Sequence, residues 1–173
     1  VSLQDVKSRI VSLGPSAIES MFKLLANNEA RRPALDVLEH LLSDETLHFY
    51  TEALASRDPV IGSGATEVLA RSRRYDPIAI LNLFSDSTVP RSRLETILSK
   101  QIEKLPPRVL ISMIADLPGD ARPTVFRILE KQADLTIVPE AIRGISHPDW
   151  WVRQHMIRLV ADLGAREGTN AIV

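Results

Sequence analysis

Residues 147–164 read HPDWWVRQHMIRLVADLG. Asp149 precedes an apolar-periodic run and can accept from the unpaired amides of a first turn, so it is the expected N-cap. Trp150 and Trp151 then take the first and second helical positions, and Val152 is the first residue that must turn inward. Met156, Ile157, Leu159, Val160 and Leu163 make the helix apolar around much of its circumference. Leu163-Gly164 is its expected end, with glycine at the C′ position.

The same grammar runs through the rest of the chain. LQDVKSRIVSL (3–13) has apolar residues at helical spacing and ends at Gly14, after which Pro15 and Ser16 open AIESMFKLLA (17–26). Asp58-Pro59 and Asp76-Pro77 each place an N-cap before a proline at the first helical position, and Pro106-Pro107 opens another helix. No stretch shows sustained period-two alternation, so β structure is not expected.

The helices come in pairs and the pairs recur. Leu13-Gly14 and Leu163-Gly164 are 150 residues apart, five steps of 30. A Pro, Gly or Arg marks an early place in each first helix, at Pro33, Gly62, Pro90, Pro123 and Arg153, with gaps of 29, 28, 33 and 30. The helical hairpins are expected at about 2–27, 28–56, 57–85, 86–118 and 119–146, and from 147 to the end. In the last of these, AREGTNAIV begins a second helix that stops at Val173. A lone hairpin cannot bury its apolar stripe, but stacked hairpins can. The expectation is an all-α chain, an α-solenoid of about five and a half antiparallel helix pairs of roughly 30 residues each, forming one domain over 1–173.

Here the sequence resembles the HEAT-repeat family. DWWVRQHMIRLVADLG is similar to the first helix of such a repeat, with Asp149, Val152, Arg153, Leu159 or Val160, and Leu163-Gly164 carrying the match. DPVIGSGATEVLA (58–70) is a weaker copy through Asp58, Pro59, Ile61, Ala65 and Leu69, and LGPSAIESMFKLL (13–25) is similar to the crossing between helices. In that family an Asp and an Arg link neighbouring repeats in a side-chain ladder. Here Pro33, Gly62, Pro90 and Pro123 stand at the Arg position and only Arg153 keeps it, so most of the ladder is expected to be missing. Proline is tolerated there because first-turn amides lack intrahelical partners.

Composition narrows the function. The chain of 173 residues is 45% apolar, 5% aromatic and of net charge −1, with no cysteine. Near neutrality gives no global pull toward nucleic acid or an anionic membrane. The lack of cysteine excludes disulfides and thiolate metal sites and favours a reducing, cytoplasmic setting. No apolar run approaches the roughly 20 residues that span a bilayer. The start at Val1 and the partial last repeat suggest a piece of a longer protein, continuing in further helices beyond Val173.

The usual chemical signatures are missing. The histidines are His40, His48, His147 and His155, none at the i, i+4 spacing of a helical metal pair. No phosphate-binding loop occurs, and Gly62-Ser63-Gly64 sits inside a predicted helix, where close packing is the simpler reason for it. Glu95, Glu103, Asp116, Glu130 and Glu140 lie on different turns, with nothing to pair them as acid and base. No cofactor is implied and no enzyme activity is expected.

Charge placement says more. Exposed charges expected on the second helices are mixed: Glu19, Lys23, Glu52, Asp76, Arg108, Asp116, Glu140 and Arg143. Basic residues gather instead around the third and fourth first helices, at Arg71, Arg73, Arg74, Arg91, Arg93, Lys100 and Lys104. They form a candidate patch for an acidic partner, against the simpler reading of solvated charge. The tryptophan pair is the second candidate: one indole is expected to pack, over Pro148 toward Ile145, and the other to stay exposed as an anchor. The expected role is a non-enzymatic protein-interaction scaffold or regulatory module, its partner another protein or a neighbouring domain of the same chain. The resemblance also admits a nucleic-acid-binding protein of the DNA-repair glycosylase type, disfavoured by the charge, or a protein like the bilin lyases.

Overall fold

The structure, a computed structural model, describes the backbone of residues 3–170 and the side chains of residues 5–164 other than 6, 7 and 11. Eleven α-helices follow one another: α1 Leu3–Ser12, α2 Ser16–Leu24, α3 Asn28–Leu41, α4 Leu47–Leu54, α5 Pro59–Arg71, α6 Ile78–Asn82, α7 Arg91–Lys100, α8 Pro107–Met113, α9 Arg122–Gln132, α10 Val138–Ile145 and α11 Trp150–Asn170. Short 3-10 turns cover Leu83–Ser85, Ile102–Lys104 and Leu135–Ile137. No strand occurs among the described residues.

The helices fall two to each span expected from the sequence, α1 and α2, α3 and α4, α5 and α6, α7 and α8, and α9 and α10. From α3 onward the first helices start 31, 32, 31 and 28 residues apart. Local chemistry sets several of these starts. The Asp58 carboxylate accepts from the Val60 amide at 2.8 Å ahead of Pro59, and Asp149 does the same for Trp151 at 2.8 Å. Asn27 caps α3 by accepting from the amides of Glu29 and Ala30. Gly14 closes α1 at φ 62°, a conformation a side chain would strain.

Two sequence expectations are corrected. The five marks do not share one structural position: Pro33 is the sixth residue of α3, Pro90 precedes α7, and Pro123 is the second residue of α9. Pro33 therefore interrupts the interior of a helix rather than its amide-free first turn, and the fourteen-residue helix is continuous across it. Nor does Leu163-Gly164 end the last helix, because α11 continues to Asn170. One helical glycine costs about 1 kcal/mol, and without a following proline nothing forces a stop. The separate second helix expected in AREGTNAIV is thus absent through Asn170, and its last three positions lie outside the described residues.

The chain divides into two compact units, Val1–Gln101 and Ile102–Val173. In the first, α1, α3, α5 and α7 neighbour one another in chain order, α2 packs on α3 and α5, and α4 packs on α5. Its core includes Ile18, Leu38, Leu54, Leu69, Ile80 and Leu94, all without measurable exposure. Each such side chain contributes about 1.5–3 kcal/mol by leaving water. Phe22 meets Tyr50 edge to face at 5.5 Å. In the second unit α8 packs on α9 and α10, and α10 on α11, around Leu110, Val125, Leu129, Ala141 and Met156.

Polar contacts repeat with the helices. Arg31 pairs with Glu67 at 3.2 Å, and Arg71 pairs with Asp36 at 3.3 Å and with Glu39 at 2.8 Å. The Asp76 amide donates to Asp44 at 3.3 Å. In the second unit Arg108 pairs with Glu140 at 3.3 Å, Arg122 with Asp149 at 2.7 Å and Arg158 with Glu130 at 3.2 Å. Each of these joins residues about one helix pair apart, from 27 for Arg122–Asp149 to 36 for Arg31–Glu67. A ladder between successive pairs therefore exists. It is not the Asp–Arg ladder of the HEAT pattern, whose arginine position holds Pro33, Gly62, Pro90 and Pro123; different residues supply each link.

Several links terminate helices. The last four carbonyls of any helix lack intrahelical donors. The Arg74 guanidinium donates to His40 O at 2.9 Å near the end of α3, and Gln101 Nε2 donates to Leu69 O at 2.9 Å, Ala70 O at 3.2 Å and Ser72 O at 2.6 Å at the end of α5. Two buried tyrosines add to this, Tyr50 donating to Leu38 O at 2.6 Å and Tyr75 to Leu69 O at 2.7 Å. Burial pushes both phenols well above the usual tyrosine range, so they remain donors. Gln101 is itself buried. Its replacement by leucine leaves buried carbonyls without a donor and is expected to destabilise the protein by about 2–3 kcal/mol. A denaturant midpoint unchanged from the parent would show that the amide caps nothing of consequence.

Candidate functional site

Two features stand out, one in each unit. The first is an open groove of about 820 Å³ between α5 and α7. Arg93 at the start of α7 lies against Gly62 near the start of α5, while Gln101 after α7 reaches the end of α5, so the two helices run parallel. The groove is deep because the facing side chains are small: Ser63, Thr66 and Ala70 from α5, Ser92 and Thr96 from α7. Arg71, Arg73, Arg93 and Lys100 line it against a single acid, Glu67. The spacings 63, 66, 70 and 92, 96, 100 each describe one helix face, a signal present in the sequence but overlooked because the residues are individually bland.

The predicted basic residues have distinct fates. Arg71 is balanced by Asp36 and Glu39, and Arg74 is tied to the His40 carbonyl. Both are thus more than solvated charge. Arg73 lines the groove just past α5. The Arg91 guanidinium sits 5.3 Å from the centre of the Phe84 ring, off the groove lining, and Lys104 falls in the 3-10 turn Ile102–Lys104. Arg93 is the most embedded. Its Nη1 donates to Leu54 O and, at 3.2 Å, to Ser56 O, closing the end of α4 from a helix that starts far along the chain.

Gly62 makes the Arg93 arrangement possible, since a Cβ there would collide with the guanidinium. Close packing is thus the reason for this glycine, and Gly64 likewise faces Leu25. In the parent, Gly62→Ala is expected to displace Arg93 and cost about 1–2 kcal/mol, the lost hydrogen bonds outweighing the helix-propensity gain. Against an Arg93→Met background the same change should stabilise the protein by up to about 1 kcal/mol, because only propensity remains. A double-mutant cycle by urea denaturation checks the reversal of sign.

The second feature surrounds the tryptophans at the start of α11. Trp150 is 63% exposed. Trp151 is half-buried, stacked on His155 with ring centres 3.6 Å apart, and edge-on to Phe126 at 6.0 Å. Arg122 lies 5.9 Å from its ring. One indole packs and the other is exposed, but the packed one rests on α9 and its own helix rather than folding over Pro148 toward Ile145. The face it joins is built one pair earlier, by Arg122 and Phe126, which a reading of neighbouring residues alone missed.

Arg122 organises this corner. Its Nε donates to Leu117 O at 3.0 Å, Nη2 to Ala115 O at 2.6 Å, and Nη1 to Asp149 at 2.7 Å. It therefore ties the turn that follows α8 to the N-cap of α11. The His147 ring accepts from the Asp149 amide at 3.0 Å, and Arg153 donates to the carbonyls of His147 and Pro148. The Arg122 hydrogen bond, helped by the amides of Trp151 and Val152, keeps the Asp149 carboxyl below the usual carboxylate range. A carboxylate with a depressed native pKa stabilises the fold above its unfolded pKa, and that stabilisation is lost as pH falls through the native value. Asp149→Asn should therefore be less stable than the parent at neutral pH, with the difference shrinking below about pH 4. Paired denaturation curves across that range check it, and a gap that persists at the acid end would assign the effect to something other than ionisation.

His40 and His48 are exposed, and each ring bonds a carbonyl of its own turn. Among the described residues no group of three His, Asp or Glu side chains is placed to hold a metal ion, and no helix is long and apolar enough to cross a membrane. In comparisons with known proteins, no family model, no curated protein and no solved structure matches this chain.

Proposed function

We propose that the chain is a HEAT-like α-solenoid that works as a non-enzymatic protein-interaction module within a longer protein. The observation that supports this reading most is the repetition of inter-pair contacts at a spacing of one helix pair, from Arg31–Glu67 through Arg122–Asp149 to Arg158–Glu130. Architectures held together only between successive units present extended surfaces and bind through them. The groove between α5 and α7 is open and lined by basic and small side chains with one acid, Glu67. The resemblance of residues 149–164 to a HEAT first helix points the same way. In this reading Trp150 is a partner anchor, a large amphipathic side chain exposed on a helix that needs only its opposite face for the core.

Two measurements test it. An elongated stack of this length should scatter X-rays with a radius of gyration clearly above the 16 Å or so of a compact globule of 173 residues. A value at the compact figure overturns the solenoid. Trp150→Ala should change stability by no more than about 0.5 kcal/mol while abolishing capture of a partner by a photo-cross-linker placed at position 154. Trp151→Ala should instead cost about 2–4 kcal/mol through lost packing. Equal losses of stability from both would make the pair structural and remove the anchor.

A further inference from the structure

We infer that the α5/α7 groove binds an extended acidic peptide segment of a partner protein, an inference that rests on the interaction-module reading. Three properties of the groove select that occupant. The first is charge. Arg71 is balanced by Asp36 and Glu39, and Glu67 by Arg31. Arg93 donates to the neutral carbonyls of Leu54 and Ser56, which leave its charge uncancelled, and Lys100 is exposed and makes no ion pair among the described residues. The groove thus carries positive charge in a chain whose net charge is −1.

The second property is the hydrogen-bonding character of the floor. Ser63 donates its proton to Val60 O at 3.1 Å, Thr66 to Gly62 O at 2.8 Å, and Thr96 to Ser92 O at 2.8 Å. With those protons used inside their own helices, the three oxygens remain as acceptors. An extended peptide supplies the matching donors in its backbone amides. An isolated carboxylate offers none, and would meet acceptors facing acceptors. The third property is what the lining lacks. It contains no aromatic side chain on which a base could stack, and it includes the acid Glu67. Single-stranded nucleic acid depends on stacking platforms and a continuous basic track. Small-molecule pockets are mostly enclosed, unlike this open trough.

Geometry sets the register. Arg93 and Lys100 are seven residues apart on α7, about 10 Å along the axis. An extended chain covers that in about three residues. Because side chains of an extended chain alternate between faces, the recognised segment carries its two acidic side chains an even number of positions apart, two or four, one toward each cation, with small residues between them to fit over Thr66 and Thr96.

The test uses the full chain and a fluorescein-labelled hexapeptide holding two Asp residues four positions apart among Gly, Ala and Ser, with amide NMR shifts locating the site. Saturable shifts along α5 and α7 are expected. Lys100→Glu should weaken binding roughly fivefold to tenfold at low salt. Thr96→Trp, which fills the trough from an exposed position, should abolish it while leaving the thermal midpoint unchanged. A matching peptide with Lys in place of Asp should not bind. Equal binding of the Lys peptide, shifts confined to other helices, or retention of binding by both variants each overturns the inference. Tighter binding of an oligothymidylate of equal charge overturns it in favour of nucleic acid. Failure of the peptide with Trp150-dependent cross-linking intact removes the groove alone, and failure of both removes the interaction-module reading as well.

Discussion

Every short helix in this protein has an end to satisfy, and at three of them, α3, α4 and α5, the chain meets that constraint with side chains borrowed from later pairs. A helix of ten residues leaves eight of its backbone polar groups without intrahelical partners, a far larger fraction than in a long helix. Gln101 closes α5, Arg93 closes α4 and Arg74 binds near the end of α3. None of these donors belongs to the helix it serves. The consequence is cooperative: these three helix ends are satisfied only when a later pair is docked. Apolar burial supplies most of the stabilisation, but it is indifferent to small slips along the helix axis. A guanidinium or amide that must reach two or three particular carbonyls is not.

This device has a steric cost that shapes the surface. Arg93 reaches Leu54 and Ser56 only because Gly62 leaves room for its guanidinium. Small residues continue along α5 and α7 at Ser63, Thr66, Ala70, Ser92 and Thr96, and the same choice that admits the arginine leaves the trough open. Structure and candidate binding surface thus share a cause. The arginine also keeps its charge while serving as a cap, since carbonyl dipoles do not neutralise it. The result is a polar groove with positive character in an otherwise balanced protein.

The tryptophan corner in the other unit works by a similar rule. Arg122 binds two carbonyls of the turn after α8 and the carboxylate that caps α11, and its side chain lies beside the half-buried Trp151. Asp149 is held ionised by the contacts that hold it in place. With Val152, Met156, Leu159 and Leu163 filling the inward face, the first residue of α11 has no core position left, and Trp150 is exposed. Adjacent, chemically identical residues receive opposite environments because they are about 100° apart on a helix.

Much of the local structure was legible in the sequence. The pairing of helices, the caps at Asp58 and Asp149, the left-handed Gly14 and the inward turn at Val152 all follow from interactions within a few residues, which composition and spacing encode directly. What depended on residues one pair away was not legible in the same manner. The links Arg71–Asp36, Gln101–Ser72 and Arg122–Asp149 use different side chains at different offsets, so a search for one repeated motif passes over them. The marks Pro33, Pro90 and Pro123 looked equivalent because their sequence intervals were even, yet a helix can start several residues before or after a proline. Only the tertiary arrangement decided that Arg93 would be a cap, that Trp151 and not Trp150 would pack, and that small residues on two separate helices would face each other across a groove. The physical reason is that these outcomes depend on which side chains arrive at the same place, and a chain's local pattern fixes the helices without fixing their partners.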